Sequence, residues 1–231
     1  MVCKIAYYSK STLNMYWIII VIALLLVVAA AFFLIKFLRN VQPDEAELIE
    51  DLKELKASIK EFKGGLVSFD KGISAQEMDQ IVEKSNQRSG KGVYMSPDSN
   101  PVFAYAFRNY IGPTKNNLIY VISNDHEYVF ITNSKGTEIS IDGKKVGLLR
   151  SNGKMYDIRN NEVASIERNS MTASNILKID NKEVAKIALP ENIGKIEAVE
   201  ITGTNLNTEE TEMIRTLSIV ELISSQKEFQ V

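Results

Sequence analysis

The sequence predicts a mainly β fold with accessory helices: an N-terminal transmembrane helix, a short amphipathic helix, and an antiparallel β-meander or barrel with a buried C-terminal helix. Three observations carry this expectation. Residues 11–35 run without a charge. A nine-residue phrase recurs at 141–149, 158–166 and 179–187, as IDGKKVGLL, IRNNEVASI and IDNKEVAKI. Between Leu217 and Ile223 only Ser218 and Glu221 are polar.

Composition narrows the classes of function. The 231 residues suffice for one ordinary domain plus accessories, and 45% apolar with 24% charged residues is the balance of a folded chain. A net charge of −2, from 27 basic and 29 acidic residues, gives no basic excess for a nucleic-acid backbone. One cysteine, Cys3, excludes an internal disulfide and a cysteine-cluster metal site, and one histidine, His126, leaves no pair for zinc.

The first element is the apolar run WIIIVIALLLVVAAAFFLI. A helix rises 1.5 Å per residue, so about 20 residues cross a hydrocarbon layer of about 30 Å. Tyr16 and Trp17 suit one interface, and Lys36 and Arg39 the other. A cleaved signal peptide is the rival reading, but FFLIKFL follows the small residues Ala29, Ala30 and Ala31 at once. The expected span is 16–38, after a tail at 1–15. The chain is therefore expected to contact the bilayer as a single-pass protein. The positive residues beyond the span slightly favour a cytoplasmic C-terminal domain.

Next, PDEAELIEDLKELKASIKEFKGG predicts an amphipathic helix at 43–63. Pro43 suits the first helical position, the acidic residues suit the start, and Gly64 and Gly65 supply the stop. Leu48, Leu52, Leu55, Ile59 and Phe62 alternate spacings of four and three, forming one stripe. About two heptads make a short coiled-coil seam. Packing on its own domain is the expected use of the stripe, with a homo-oligomer seam as the alternative.

A β-rich domain is expected over 66–225, with a tail at 226–231. Within SAQEMDQIVEKSNQ, Ser74 and Glu77 form a capping box and Met78, Ile81 and Val82 share a helical face, which predicts one short helix. Strands are expected at 92–95, 101–111, 117–123 and 127–132, from Val, Ile, Tyr and Phe runs broken by turn residues. Phe103, Tyr105 and Phe107 then share one strand face, with Arg108 and Tyr110 on the other.

Each recurring phrase reads as strand, tight turn, strand. Asp142-Gly143 is a two-residue hairpin signal, and Asn160 and Asn181 stand where the first copy has Gly143. That turn pairs Ile139 with Val146 and Thr137 with Leu148, placing Ile139, Ile141, Val146 and Leu148 on one face. In the second and third copies Ile166 and Ile187 break strict alternation, which a β-bulge would repair. Last come a strand in KIEAVEITG and a helix capped at Asn207 or Thr208, whose apolar character on nearly all sides requires burial.

Short antiparallel hairpins followed by an apolar C-terminal helix resemble the LURP-one, tubby-like and phospholipid-scramblase superfamily. ISIDGKKVGLL, YDIRNNEVASI, LKIDNKEVAKI and MIRTLSIVELI carry the resemblance over about 65–225. It implies a 12-stranded barrel closed around a central C-terminal helix and a membrane-associated protein. It carries over no ligand residue, and the apolar span here is N-terminal.

No residues form a catalytic, cofactor or metal constellation. RSGKG at 88–92 echoes a phosphate-binding loop but lacks its earlier glycine and the Ser/Thr after Lys91, so a flexible loop is expected. Asp125-His126-Glu127 is expected to be a solvated turn without the partners a site needs. The sequence therefore predicts a non-enzymatic, membrane-anchored binding or scaffold protein with no nucleic-acid partner and an unspecified protein partner. A self-assembling envelope or secretion component, and a scramblase-like lipid-associated barrel, are the alternatives.

Overall fold

A computed structural model of the chain describes residues 17–35, 43–69, 75–78, 82–84, 87–110, 116–168, 171–189, 192 and 197–224. Helix α1, Trp17–Ile35, is long and apolar enough to cross a membrane, and none of its most apolar stretch is buried inside the protein. Tyr16, Lys36 and Arg39, expected at the interfaces, lie outside the described residues, as does Cys3; Trp17 begins the helix.

Helix α2, Glu45–Ser58, starts two residues later than expected: Asp44 is its N-cap and accepts from the Glu47 N–H at 2.8 Å. A 3-10 turn, Lys60–Gly64, continues it to the glycine stop. All five stripe residues pack against the sheet: Leu55 and Ile59 are buried, and Leu48, Leu52 and Phe62 close over the same cluster. The stripe serves its own domain, so it is not left as an open seam for a second copy.

The strands are β1 Ala75–Met78, β2 Val82–Lys84, β3 Gln87–Met95, β4 Pro101–Tyr110, β5 Asn116–Ser123, β6 Glu127–Asn133 and β7 Gly136–Ile141. They continue with β8 Lys144–Leu149, β9 Lys154–Asp157, β10 Glu162–Glu167, β11 Ser174–Ile179, β12 Lys182–Ala188 and β13 Val199–Ile201. All belong to one antiparallel sheet in which β3 to β13 follow chain order. β1 and β2 both pair with β3, along its two halves. The short helix expected at this point is thus an interrupted edge strand; Ser74 and Ile81 lie outside the described residues. A helix of under three turns is marginal alone, whereas the open edge of β3 offers backbone groups that need partners. RSGKG, expected as a flexible loop, lies within β3.

Among the described residues β13 pairs only with β12, and nothing joins it to β1 or β3, so the sheet is an open meander rather than a closed barrel. It nevertheless curls around helix α3, Thr208–Ser224. Asn207 and Glu210 cap that helix reciprocally, each backbone N–H donating to the other's side chain at 2.8 Å. Ile214 and every residue from Thr216 to Ile223 are buried. One cluster joins α3 to Tyr94 of β3, Phe130 of β6, Met155 of β9 and Ile187 of β12. The Tyr94 hydroxyl also donates to the Leu222 carbonyl at 3.2 Å.

The sheet's outer surface has two characters. β4 and β5 are buried along nearly their whole length because both faces are covered. Phe103, Tyr105 and Phe107 point inward to α3, while Ala104, Ala106, Leu118, Tyr120 and Ile122 lie under α2. The alanines leave room for the helix to approach. From β7 onward the outer face is a ladder of cross-strand ion pairs: Lys145–Glu138, Lys154–Glu162, Lys178–Glu167 and Lys186–Glu200.

The recurring phrase encodes more than a turn. In the first hairpin Ile141 faces Lys144 and Ser140 faces Lys145, as Asp142-Gly143 dictates, but Ile139 then faces Gly147 and Thr137 faces Leu149. Val146 is bulged, so the expected pairings of Ile139 with Val146 and Thr137 with Leu148 do not form. Leu149 takes the core position expected of Leu148. Corresponding bulges fall at Val163 and Val184. The valine five residues into each copy is thus the extra residue, and all three pack on the central cluster. A small residue follows it each time, Gly147, Ala164 or Ala185, set opposite Ile139, Met155 or Leu177. A Cβ on Gly147 would lie 2.1 Å from the Tyr156 carbonyl oxygen, so glycine is obligatory there.

The turns differ. Asp142 and Gly143, and likewise Asp180 and Asn181, have consecutive positive φ, the geometry of a tight two-residue hairpin. In the second copy the loop is longer: Asp157 accepts from Arg159 and Asn161, and Ile158, expected in a strand, stands 71% exposed in the loop. Asn181→Gly is expected to leave stability unchanged or slightly raised. Asn181→Val, with a β-branched side chain at φ +62°, should cost about 1–2 kcal/mol in chemical denaturation.

Candidate functional site

Polar side chains converge at two junctions between the sheet and its helices, and a third group lies inside. The most accessible junction is built on His126. Ser123 ends β5, and its hydroxyl accepts from the Asp125 and His126 N–H groups, shaping the turn into β6. The turn directs the imidazole toward the neighbouring hairpin. There Nδ1 lies 2.7 Å from Asp142 Oδ2, a residue sixteen positions on. Asp142 is fixed by the β6 backbone, since its Oδ1 accepts from the Glu127 N–H at 2.9 Å.

Helix α3 supplies the other side. Glu212 Oε2 lies 3.5 Å from His126 Nε2, and Glu212 Oε1 accepts from the Tyr128 hydroxyl at 2.9 Å. Arg215, one turn further along, reaches Asp125 at 3.5 Å. The imidazole is about one-third exposed, which corrects the expectation of a solvated turn lacking partners. Those partners come from a different hairpin and from the C-terminal helix, so no local motif announces them.

The electrostatics follow from these contacts. The hydrogen bond to Asp142 raises the His126 pKa above its ordinary 6.5; burial opposes this, and the nearby Glu212 adds to it. Asp142 is held below the usual carboxylate value, first by the Glu127 N–H and then by His126. Burial and Glu212 push the Tyr128 phenol upward. Because Nε2 faces a carboxylate, the Asp142–His126 pair is aimed at an acid rather than at a hydroxyl or thiol nucleophile. It has the form of a structural ion cluster.

Beside it, Glu127 ties α2 to the sheet. It accepts from Lys63 at 2.8 Å and Lys56 at 3.2 Å, and Lys56 also sits over the Tyr120 ring. The Lys63 hydrogen bond leads in lowering the Glu127 pKa to about 2, against some burial. A depressed carboxylate stabilises the fold above its unfolded value of 4.5, and the gain disappears as pH falls toward about 2. Docking of α2 should therefore weaken over that window, with a smaller loss in Glu127→Gln, measured by proteolysis between α2 and β3.

In the middle of α2, Asp51 and Glu54 receive the forked guanidinium of Arg108 of β4, which reaches Glu54 at 2.6 Å, and the Tyr110 hydroxyl donates to Asp51 at 2.6 Å. Arg108 and Tyr110 are thus on the face opposite Phe103, Tyr105 and Phe107, as the sequence suggests. Inside the sheet Glu221 of α3 is almost fully buried. Arg168 donates to it twice at 2.8 Å, and Asn175 donates once at 2.9 Å. This triad explains how an acidic residue occupies the middle of a buried apolar helix.

The lysine of the phosphate-loop echo, Lys91, points to Glu61 at 2.9 Å and the Ser58 carbonyl at 3.2 Å. Among the described residues no group of three or more His, Cys, Asp or Glu side chains is placed to hold a metal ion. No family model matches the chain, and neither a curated protein nor a solved structure matches it at a significant level.

Proposed function

We propose that the protein is a single-pass, membrane-anchored binding or scaffold protein that presents its β-rich domain near the bilayer. One observation carries this reading: a wholly exposed apolar helix of 19 residues joined by a short tether to a self-contained folded body. Nine residues separate α1 from α2, a reach of at most about 30 Å when fully extended. A binding surface tethered that closely meets bilayer-bound partners at high effective concentration. The ionic groups support a non-enzymatic role, because each cluster fastens one element to another. His126 links two turns to α3, Glu127 and Arg108 fasten α2, and Glu221 seats α3.

The self-assembling alternative loses its main support, because the 48–62 stripe packs on the sheet. The architectural kinship with the LURP-one, tubby-like and scramblase superfamily also stays a proposal. A C-terminal helix inside a curled antiparallel sheet supports it, and the open seam between β13 and β1 departs from a closed barrel.

Alkaline carbonate extraction of membranes carrying the full chain tests the anchor. The protein should stay in the membrane pellet. Leu24→Arg with Leu25→Arg should release it, since each arginine at the centre of a span costs about 2.5–3.5 kcal/mol. Extraction of the unaltered chain into the supernatant would overturn the reading.

A further inference from the structure

His126 is the only histidine in the chain, and it stands where three separate elements meet. Its ring touches the β7–β8 turn through Asp142 and the N-terminal part of α3 through Glu212. The groups facing it are Asp125 of its own turn, Glu127 and Tyr128 of β6, Asp142, and Glu212 and Arg215 of α3. Counting the two lysines on Glu127, the patch holds four carboxylates, Asp125, Glu127, Asp142 and Glu212, and three cations, Lys56, Lys63 and Arg215. A protonated imidazole balances these named charges.

We infer that His126 is a proton-operated latch: as imidazolium it clasps Asp142 and Glu212 together, and its deprotonation loosens the β7–β8 turn from the start of α3. The imidazolium donates from both nitrogens, one toward each carboxylate. The neutral ring keeps one N–H, so one carboxylate loses a donor. Asp142 retains the Glu127 N–H, and Glu212 retains the Tyr128 hydroxyl, so the domain stays folded while this corner relaxes.

The direction of the effect is fixed by the sign of the shift. A histidine raised above 6.5 on folding adds stability that is fully present below 6.5 and is lost as pH rises through the folded value. The latch is closed on the mildly acidic side and opens toward alkaline pH. The hairpin ends and the α3 entrance are then accessible in one state and held in the other, a device by which a proton gradient could regulate binding.

Two measurements on the full chain in lipid nanodiscs test this. With a single histidine, the imidazole NMR signal reports its titration directly. The midpoint should lie above 6.5 and fall in Glu212→Gln; a midpoint at or below 6.5 in the unaltered chain overturns the proposal. In hydrogen exchange corrected for intrinsic rate, opening at Asp142, Gly143 and the first turn of α3 should rise about two- to five-fold across that titration. His126→Gln should abolish the rise, and an equal rise in His126→Gln would likewise overturn the latch.

Discussion

Arg168→Ala is expected to destabilise the domain by about 3 kcal/mol, among the largest effects of any single polar substitution. The guanidinium donates to both Glu221 oxygens at 2.8 Å, and Glu221 sits on a helix buried all round. Removing it leaves a carboxylate inside the core with only the Asn175 amide as partner. The lower end of the range for breaking a buried pair applies, because the arginine side chain is 41% exposed while that of glutamate is 5% exposed. The asymmetry provides the control. Arg168→Ala combined with Glu221→Met should recover much of the loss, since an apolar replacement of both partners removes the stranded charge. Urea denaturation of the three variants reads the coupling, and additive losses would show that the pair does not act as a unit.

Leu217→Ala should cost about 2–5 kcal/mol, the range for a fully buried leucine whose cavity cannot collapse. Leu217 has no exposure and lies on α3 within the cluster to which every strand from β3 to β12 contributes a buried side chain. Ile158→Ala provides the comparison: the residue is 71% exposed in a loop, and its loss should change stability by under about 0.5 kcal/mol. Equal effects at the two positions would mean that α3 is not the centre of the core.

Much of this architecture is legible in the residues because it depends on local pattern. The run from Leu217 to Ile223, apolar but for Ser218 and Glu221, can exist in water only if surrounded, and the structure surrounds it. Asp142-Gly143 and Asp180-Asn181 specify turns by their tolerance of positive φ, and both adopt it. The misalignment of Ile166 and Ile187 signals bulges, which occur at Val163 and Val184. The equivalent bulge at Val146 escapes notice because Gly147 and Leu148 leave an apparently regular alternation.

Other features depend on distant partners. The stretch from Ser74 carries a helical capping pattern, yet the neighbouring edge of β3 recruits residues 75–78 and 82–84 as strands. The apolar stripe of α2 fits either a coiled coil or a sheet, and the choice is made by Ala104 and Ala106, which open the outer face of β4 to a helix. The His126 junction is the least legible. Its carboxylates lie on another hairpin and on the last helix, and only the folded meander brings them together.

Hydrogen exchange across α3 in the full chain, held in nanodiscs under native conditions, most directly tests whether the open sheet is organised around that helix. Amides from Ile214 to Ile223 should open only with global unfolding, as slowly as those of β4 and β5. Exchange of α3 while the strands remain protected would contradict the account, because the helix would then be an accessory to the sheet rather than its core.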